Sequence, residues 1–300
     1  MSLNLLEEIR TRVLLCDGAM GTQLQQLGLE PGGCGEAWNL IHADRLLTIQ
    51  RAYVDAGSDC LLTNTFGGSR IMLERHDHAG DVTAINAAGV ELARQAFGGR
   101  PGFVIGDIGP FGGLMEPHGD ISPQRVREAF TEQAMALVSA GADAIIIETQ
   151  TALEELTLGV EAARKAGAAC VIGSMAYDVT RDGSKLRTMM GVGPERAAEF
   201  MRDTGIDIVA LNCGSGVDVG WAARAVSVYR DVCDLPTMAQ PNAGQPVLEN
   251  MKVVYKQSPQ EMAAELPALL TAGARIVGGC CGSTPHHIRL FREIMDQRAC

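Results

Sequence analysis

The sequence predicts an α/β fold, a single (β/α)8 TIM barrel, and three observations carry that prediction. Amphipathic stretches repeatedly end in glycine and are followed within one to three residues by a short β-branched run. Eight apolar runs of strand length can be found along 300 residues, and helix-like patterns separate them. A chain of this length suits one barrel of roughly 250 residues with insertions.

The repeat is clearest in VDAGSDCLLTNTF, VSAGADAIIIETQ, ARKAGAACVIGSM, RDTGIDIVALNCG and LTAGARIVGGCCG. Gly57, Gly141, Gly167, Gly205 and Gly273 can take the left-handed conformation that ends a helix. The apolar run after each reads as a strand buried on both faces, as in a parallel sheet. VLLCDGAMG, FVIGDIGP and PTMAQPNAG bring the strands to eight. Helical periodicity covers Ala43–Ala56, Val82–Phe97, Gln124–Ala140, Leu153–Ala166, Glu195–Thr204 and Pro259–Ala272, with Pro267 expected to kink the last. Ser122-Pro123, Ser258-Pro259 and Thr284-Pro285 each pair an N-cap residue with proline at the first helical position.

The alternative is an open doubly wound sheet. It loses ground because no GxGxxG follows the first strand and no P-loop pattern occurs. No linker divides the chain, so one domain is expected over residues 1–300, with its core at about 12–295. The long connections Gly112–Pro123, Asp178–Pro194 and Gln245–Pro259 all follow strands, which places them on the catalytic face of a barrel.

Composition narrows the function. Hydrophobic residues are 46% and aromatics only 4%, so aliphatic side chains must fill the core. A net charge of −11 argues against nucleic acid or an anionic membrane as partner. No apolar run is long enough to span a bilayer, and MSLNLLEEIRTR has no signal-peptide core. Nine cysteines without a secretion signal point to free thiols in a reducing cytoplasm.

Barrel chemistry is built at the C-terminal ends of strands. Those ends read Asp17-Gly18, Thr63-Asn64-Thr65, Asp107, Glu148-Thr149, Ser174, Asn212-Cys213, Asn242 and Cys280-Cys281. Three of the nine cysteines fall on strands six and eight, and alternate strands feed one layer of the barrel, so Cys213 can reach Cys280 and Cys281. Consecutive strand residues point to opposite faces. The pair can therefore meet one ion only if the backbone leaves strand geometry, which Gly278, Gly279 and Gly282 permit. Three thiolates make a soft site that favours zinc and leaves a fourth position open. Three buried packing residues, or a redox pair lacking the usual CxxC spacing, are the other readings of these cysteines.

A charged Glu148 directly after Ala-Ile-Ile-Ile needs a partner or a function. Asp17 before Gly18 could instead cap a turn, and Asn64, Asn212 and Asn242 could simply bind backbone at the mouth. His286 and His287 read as surface or cap residues, His76 and His78 as loop residues, Cys16 as packing, and Cys34 and Cys300 as without a role. Lys165 and Lys185 lie away from strand ends, which disfavours a Schiff-base lyase or aldolase.

DGAMGT, TNTFGGSR, GDIGP, ETQ, LNCG, QPNAGQP and GGCCGSTPHHI, spread from Leu14 to about Ile294, resemble the homocysteine S-methyltransferase family. TNTFGGSR, IGDIGP and PNAGQPVLENMKVVYKQSP resemble most the homocysteine-binding domain of cobalamin-dependent methionine synthase. The resemblance implies zinc on Cys213, Cys280 and Cys281 and the homocysteine amino group on Asp17 and Glu148. It implies methionine as product, and methylcobalamin on a separate protein or domain as donor. S-methylmethionine or betaine is the alternative donor. Betaine is disfavoured because a quaternary ammonium needs an aromatic cage, and with two Trp and four Tyr in the chain, Trp38 and Phe66 near early strand ends are too few to build one. A non-catalytic zinc-binding or corrinoid-docking module is the reading from another class.

Overall fold

Eight parallel strands form the ring: β1 Leu14–Leu15, β2 Cys60–Leu62, β3 Phe103–Ile108, β4 Ala144–Gln150, β5 Val171–Met175, β6 Ile208–Asn212, β7 Thr237–Gln240 and β8 Ile276–Val277. The computed structural model describes residues 4–249 and 252–299. The sheet order runs β1-β8-β7-β6-β5-β4-β3-β2. Between β1 and β2 the ring is joined by single bonds, Asp59 N–H to the Leu15 carbonyl at 2.6 Å and Leu15 N–H to the Asp59 carboxylate at 2.8 Å.

Alternation along each strand sorts the core into two layers. Leu14, Cys16, Cys60, Leu62, Ile105, Ile146, Ile172, Ala210 and Met238 fill the barrel interior. Leu15, Leu61, Val104, Ile145, Val209 and Val277 face the helices. Leu5 and Ile9 join the inner cluster, so the short helix Leu5–Thr11 closes the lower end. Glycines 57, 141, 167, 205 and 273 all have positive φ, as their place at helix ends predicts.

Three of these glycines begin a device that the sequence repeats as Gly-x-Asp. Asp59, Asp143 and Asp207 each accept a backbone N–H at the start of the preceding strand, from Leu15, Val104 and Val171 at 2.8, 2.7 and 2.7 Å. An arginine clamps each aspartate: Arg292 at 2.5 Å, Arg94 at 2.8 Å and Arg164 at 2.7 Å. The same three guanidinium groups also bind the carbonyls of Gly57, Gly141 and Gly205. The clamps therefore lock the β1–β2, β3–β4 and β5–β6 seams at the foot of the barrel. Asp59 sits at the one seam without a ladder. Asp59→Ala is expected to lower stability by about 1–3 kcal/mol, the range for charge-assisted bonds. Urea unfolding at pH 7 checks it, with an unchanged midpoint as the contrary result.

The predicted helices lie within a residue or two of the observed ones, and Pro259–Ala272 runs unbroken through Pro267. Ser122 caps its helix, and Ser258 forms a full capping box with Glu261. Thr284 instead shares its hydroxyl with His287 Nδ1 at 2.9 Å. Helix Val219–Val232 is not among the stretches whose helical periodicity stands out in the sequence. It is rich in valine and ends at Cys233 instead of glycine, yet Asp218 caps it by accepting from Trp221 N at 2.9 Å. Two of the three long connections carry small antiparallel pairs, Asp178–Val179 with Leu186–Arg187 and Pro246–Glu249 with Lys252–Tyr255.

Candidate active site

The upper ends of the strands surround a cavity of about 440 Å³. Asp17, Asn64, Asp107, Glu148, Cys213, Cys280 and Cys281 all lie on its wall.

The three cysteines come together because each strand end breaks regular geometry. β6 stops at Asn212, and Cys213 takes a left-handed φ of 56°, which is rare outside glycine and signals a conformation held by its surroundings. Asn212 is one such surrounding. Its carboxamide accepts from Thr149 N–H at 3.0 Å and from the Ser174 hydroxyl at 2.6 Å, and donates to the Thr149 hydroxyl at 2.7 Å. Thr149, φ 58°, sits at a register shift in β4. β8 ends at Val277, and Cys280 and Cys281 lie in the turn beyond it. The glycines of that turn serve close approach more than unusual φ. A Cβ on Gly279 would lie 2.4 Å from Ser283 Oγ, and one on Gly278 would lie 2.8 Å from the Asp17 carbonyl. Ser283 ties the turns after β1 and β8 together by accepting from Ala19 N–H at 3.1 Å and donating to the Cys280 carbonyl at 2.7 Å. The backbone after β7 grips the turn from the other side, through Cys280 N–H to Pro241 and Ala243 N–H to Cys281.

The Sγ atoms of Cys213, Cys280 and Cys281 lie within 4.8 Å of one another. Cys213 is 3.8 Å from Cys281, and Cys280 is 3.9 Å from Cys281. A tetrahedron of thiolates at ~2.3 Å from zinc has an edge of ~3.8 Å. The donor set thus fits zinc in chemistry and spacing, and three protein sulfurs leave one vertex for another ligand. The thiols ionise as one group: the first thiolate to form accepts S–H bonds from its neighbours, which lowers Cys281 and raises Cys280.

The carboxyls stand across the cavity. Burial raises Asp17 to about 7 and Glu148 to about 8. Asp17 is also a latch across the β1–β2 seam, since it accepts from Leu62 N–H at 2.9 Å. Asn64 spans Gly35 O at 2.8 Å and Asn39 at 3.0 Å, which shapes the loop wall. Asn242 donates to Gly214 O at 2.8 Å, while its Oδ1 is buried with no partner.

Some residues lie elsewhere than a surface or loop reading would place them. His287 is buried, and its ring spans Thr284 and the Gln257 carbonyl. His76 reaches the cavity wall, whereas His78 pairs with Asp81. Cys16 packs inside the barrel with its sulfur 3.4 Å from Asp17 Oδ1. Cys34 is half-buried beside Glu36, and Cys300 lies outside the described residues. Asp107, Glu36, Gln240 and Tyr255 also stand at or beside the site, with no role marked by sequence pattern. Glu36 holds Gly67 N–H at 2.8 Å and faces the cavity. Tyr255 packs on the cysteine turn, where a Cβ on Gly282 would lie 2.2 Å from Tyr255 Cβ. The pattern GCGEAW carries no signal for Glu36, but Asp107 stood at a strand end and was legible there.

Residues 14–295 match the homocysteine S-methyltransferase family. The chain belongs to that family. The family is named for methyl transfer to the sulfur of homocysteine. The methionine synthase of Mycobacterium leprae is 34% identical over 303 residues, covering 95% of this chain and 24% of that protein. The Mycobacterium tuberculosis methionine synthase is 34% identical over 313 residues, covering 95% and 25%. The chain thus spans about a quarter of the length of these relatives. The metallated form of the homocysteine methyltransferase MmuM from Escherichia coli superposes with a TM-score of 0.77 at 20% identity, covering 94% of this chain and 96% of that one. At that identity the likeness shows the barrel fold. Among the described residues no helix is long and apolar enough to cross a membrane.

Proposed function

We propose that this methyltransferase barrel holds zinc on Cys213, Cys280 and Cys281 and methylates homocysteine to methionine, with a methylcorrinoid on a separate protein or domain as donor. The three-sulfur cluster facing two buried carboxyls across one cavity carries the reading. Bound zinc would supply a Lewis acid that lets a thiol lose its proton at neutral pH.

The remaining work falls to the chain. Asp17 and Glu148 receive the substrate ammonium, and Glu148 does so best when ionised. Asn212 fixes Thr149 and thereby the β4 end that carries Glu148. Asn64 holds the loop wall, and Gly-rich turns after β1 and β8 offer backbone N–H groups to the substrate carboxylate. The homocysteine sulfur bonds to the methyl carbon while the electron pair of the broken bond stays with the donor. No general base is needed once the thiol proton has left. One barrel over residues 1–300, with its core at about 12–295, would then be the homocysteine half of the reaction.

The donor assignment rests on the methionine synthase relatives and on the resemblance of TNTFGGSR and PNAGQPVLENMKVVYKQSP to that branch. Among the described residues, Phe66 lines the cavity and the buried Trp38 does not, which disfavours a betaine cage. A sulfonium donor such as S-methylmethionine is the second reading, favoured by a wall that, among the described residues, has four carboxyls and no lysine or arginine. Methionine formation from homocysteine and free methylcobalamin by zinc-loaded protein tests the proposal. Turnover supports the corrinoid donor. Turnover with S-methylmethionine alone replaces it, and zinc that ignores homocysteine returns the barrel to a docking module.

Asn242 has a role of its own in this reading. Its partnerless Oδ1 would fill or shield the open metal vertex in the absence of substrate. X-ray absorption is expected to show one fewer oxygen or nitrogen neighbour in substrate-free Asn242→Ala than in wild type. Identical first shells would sink the idea.

A further inference from the structure

Asp107 is the most conspicuous group that the proposed chemistry leaves unused. It lies in β3, between the strands that carry Asp17 and Glu148, and its carboxyl is 4% exposed on the cavity wall. Its backbone is fully engaged. The N–H donates to Thr63 Oγ1 at 2.9 Å, and the carbonyl accepts from the Thr65 hydroxyl at 2.7 Å and from Gln133 Nε2 at 3.3 Å. The side chain is not: Oδ1 is buried without a hydrogen-bond partner. An orphaned buried carboxyl oxygen is costly, and a native fold keeps one where a ligand satisfies it. Among the described residues, no lysine or arginine lines the cavity to pair with it. Burial first, then Glu148, Asp17 and Glu36, raise its pKa well above the usual carboxylate range.

An alkylammonium has three N–H donors and no acceptor. Asp17 and Glu148 supply two acceptors from two strands. We propose that Asp107 is a substrate-binding residue that supplies the third, so that β1, β3 and β4 together form a three-carboxyl cradle for the α-ammonium group of the amino-acid thiol. The inference rests on the homocysteine reading above and extends it from two acidic residues to three. It also assigns a specificity: the cavity selects thiols that carry a free amine and rejects analogues without one, because those would leave Asp107 Oδ1 without a partner and no cation among the three carboxyls.

The test is calorimetric binding to zinc-loaded protein of two probes, L-homocysteine and 4-mercaptobutanoate, the same molecule without its amino group. Asp107→Asn keeps the shape and removes the negative charge. It is expected to weaken L-homocysteine by about tenfold or more while shifting the deamino analogue by no more than about twofold. Asp107→Ser, a smaller side chain, carries the same expectation should the amide variant fold poorly. Equal losses for both probes would make Asp107 structural and overturn the proposal. Unchanged affinity for L-homocysteine would overturn it too. Wild-type protein that binds neither thiol would instead bring down the homocysteine reading on which it rests.

Discussion

Replacing Cys281 with serine is expected to lower methionine formation by more than about 100-fold. Altering a group that merely orients a metal ligand costs 10–100-fold in affinity or activity, and loss of a ligand itself exceeds that. Cys281 lies 3.8 Å from Cys213 and 3.9 Å from Cys280, so its removal opens two edges of the cluster. The fold should survive, because Cys281 is only half-buried and the seam clamps at Asp59, Asp143 and Asp207 lie at the far end of the barrel. Metal stoichiometry and turnover measured together check the prediction. Stripping wild-type protein with a chelator should reproduce the loss, and adding zinc back should restore activity only where all three sulfurs remain. Wild-type turnover in Cys281→Ser would mean that the cluster is packing.

The second large effect is on charge in the substrate cavity. Burial raises Asp17 to about 7 and Glu148 to about 8, so in the empty protein both hold protons that the unfolded chain has already released above the ordinary carboxylate range. The sign follows from linkage. Their contribution to stability is fully present below the unfolded-state pKa values and is lost as pH rises through about 7 to 8. Substrate reverses the preference, because an ammonium pairs with the ionised carboxylate. Affinity for L-methionine, which has an ammonium but no thiol to titrate, should therefore rise by about tenfold or more between pH 6 and pH 8. Glu148→Gln should bind L-methionine more weakly at pH 8 and flatten the dependence. Calorimetry across the range measures both. A slope that Glu148→Gln leaves unaltered would remove this residue from the ammonium site.

The sequence made the barrel legible because the same physical problem recurs along it. Each helix must stop before a buried parallel strand starts, and glycine with positive φ stops it at positions 57, 141, 167, 205 and 273. The Gly-x-Asp clamps are written in the same segments. Their meaning depends on Arg94, Arg164 and Arg292, whose partners lie dozens of residues or more away and become visible only when the helices fold back. Helix Val219–Val232 escaped because β-branched residues blur helical periodicity and Cys233 gives no glycine stop.

The cysteine cluster was legible from barrel geometry alone, since strands six and eight share a layer. The reason the pair can converge was only partly legible. Gly282 supplies a positive φ of 80°, but Gly278 and Gly279 leave room for Asp17 and Ser283. The approach of Gly278 to Asp17, some 260 residues away, leaves no local pattern. Asp107 shows the opposite failure. Its place at a strand end was plain, and its importance emerges only from the partnerless oxygen that the folded cavity leaves on it.

In the proposed chemistry, Cys213, Cys280 and Cys281 hold a zinc ion whose fourth position accepts the homocysteine sulfur. Zinc K-edge X-ray absorption on the loaded protein, before and after L-homocysteine, tests it most directly. Three sulfur neighbours rising to four on addition of substrate is the predicted result; a sulfur count that stays at three with saturating homocysteine would contradict it.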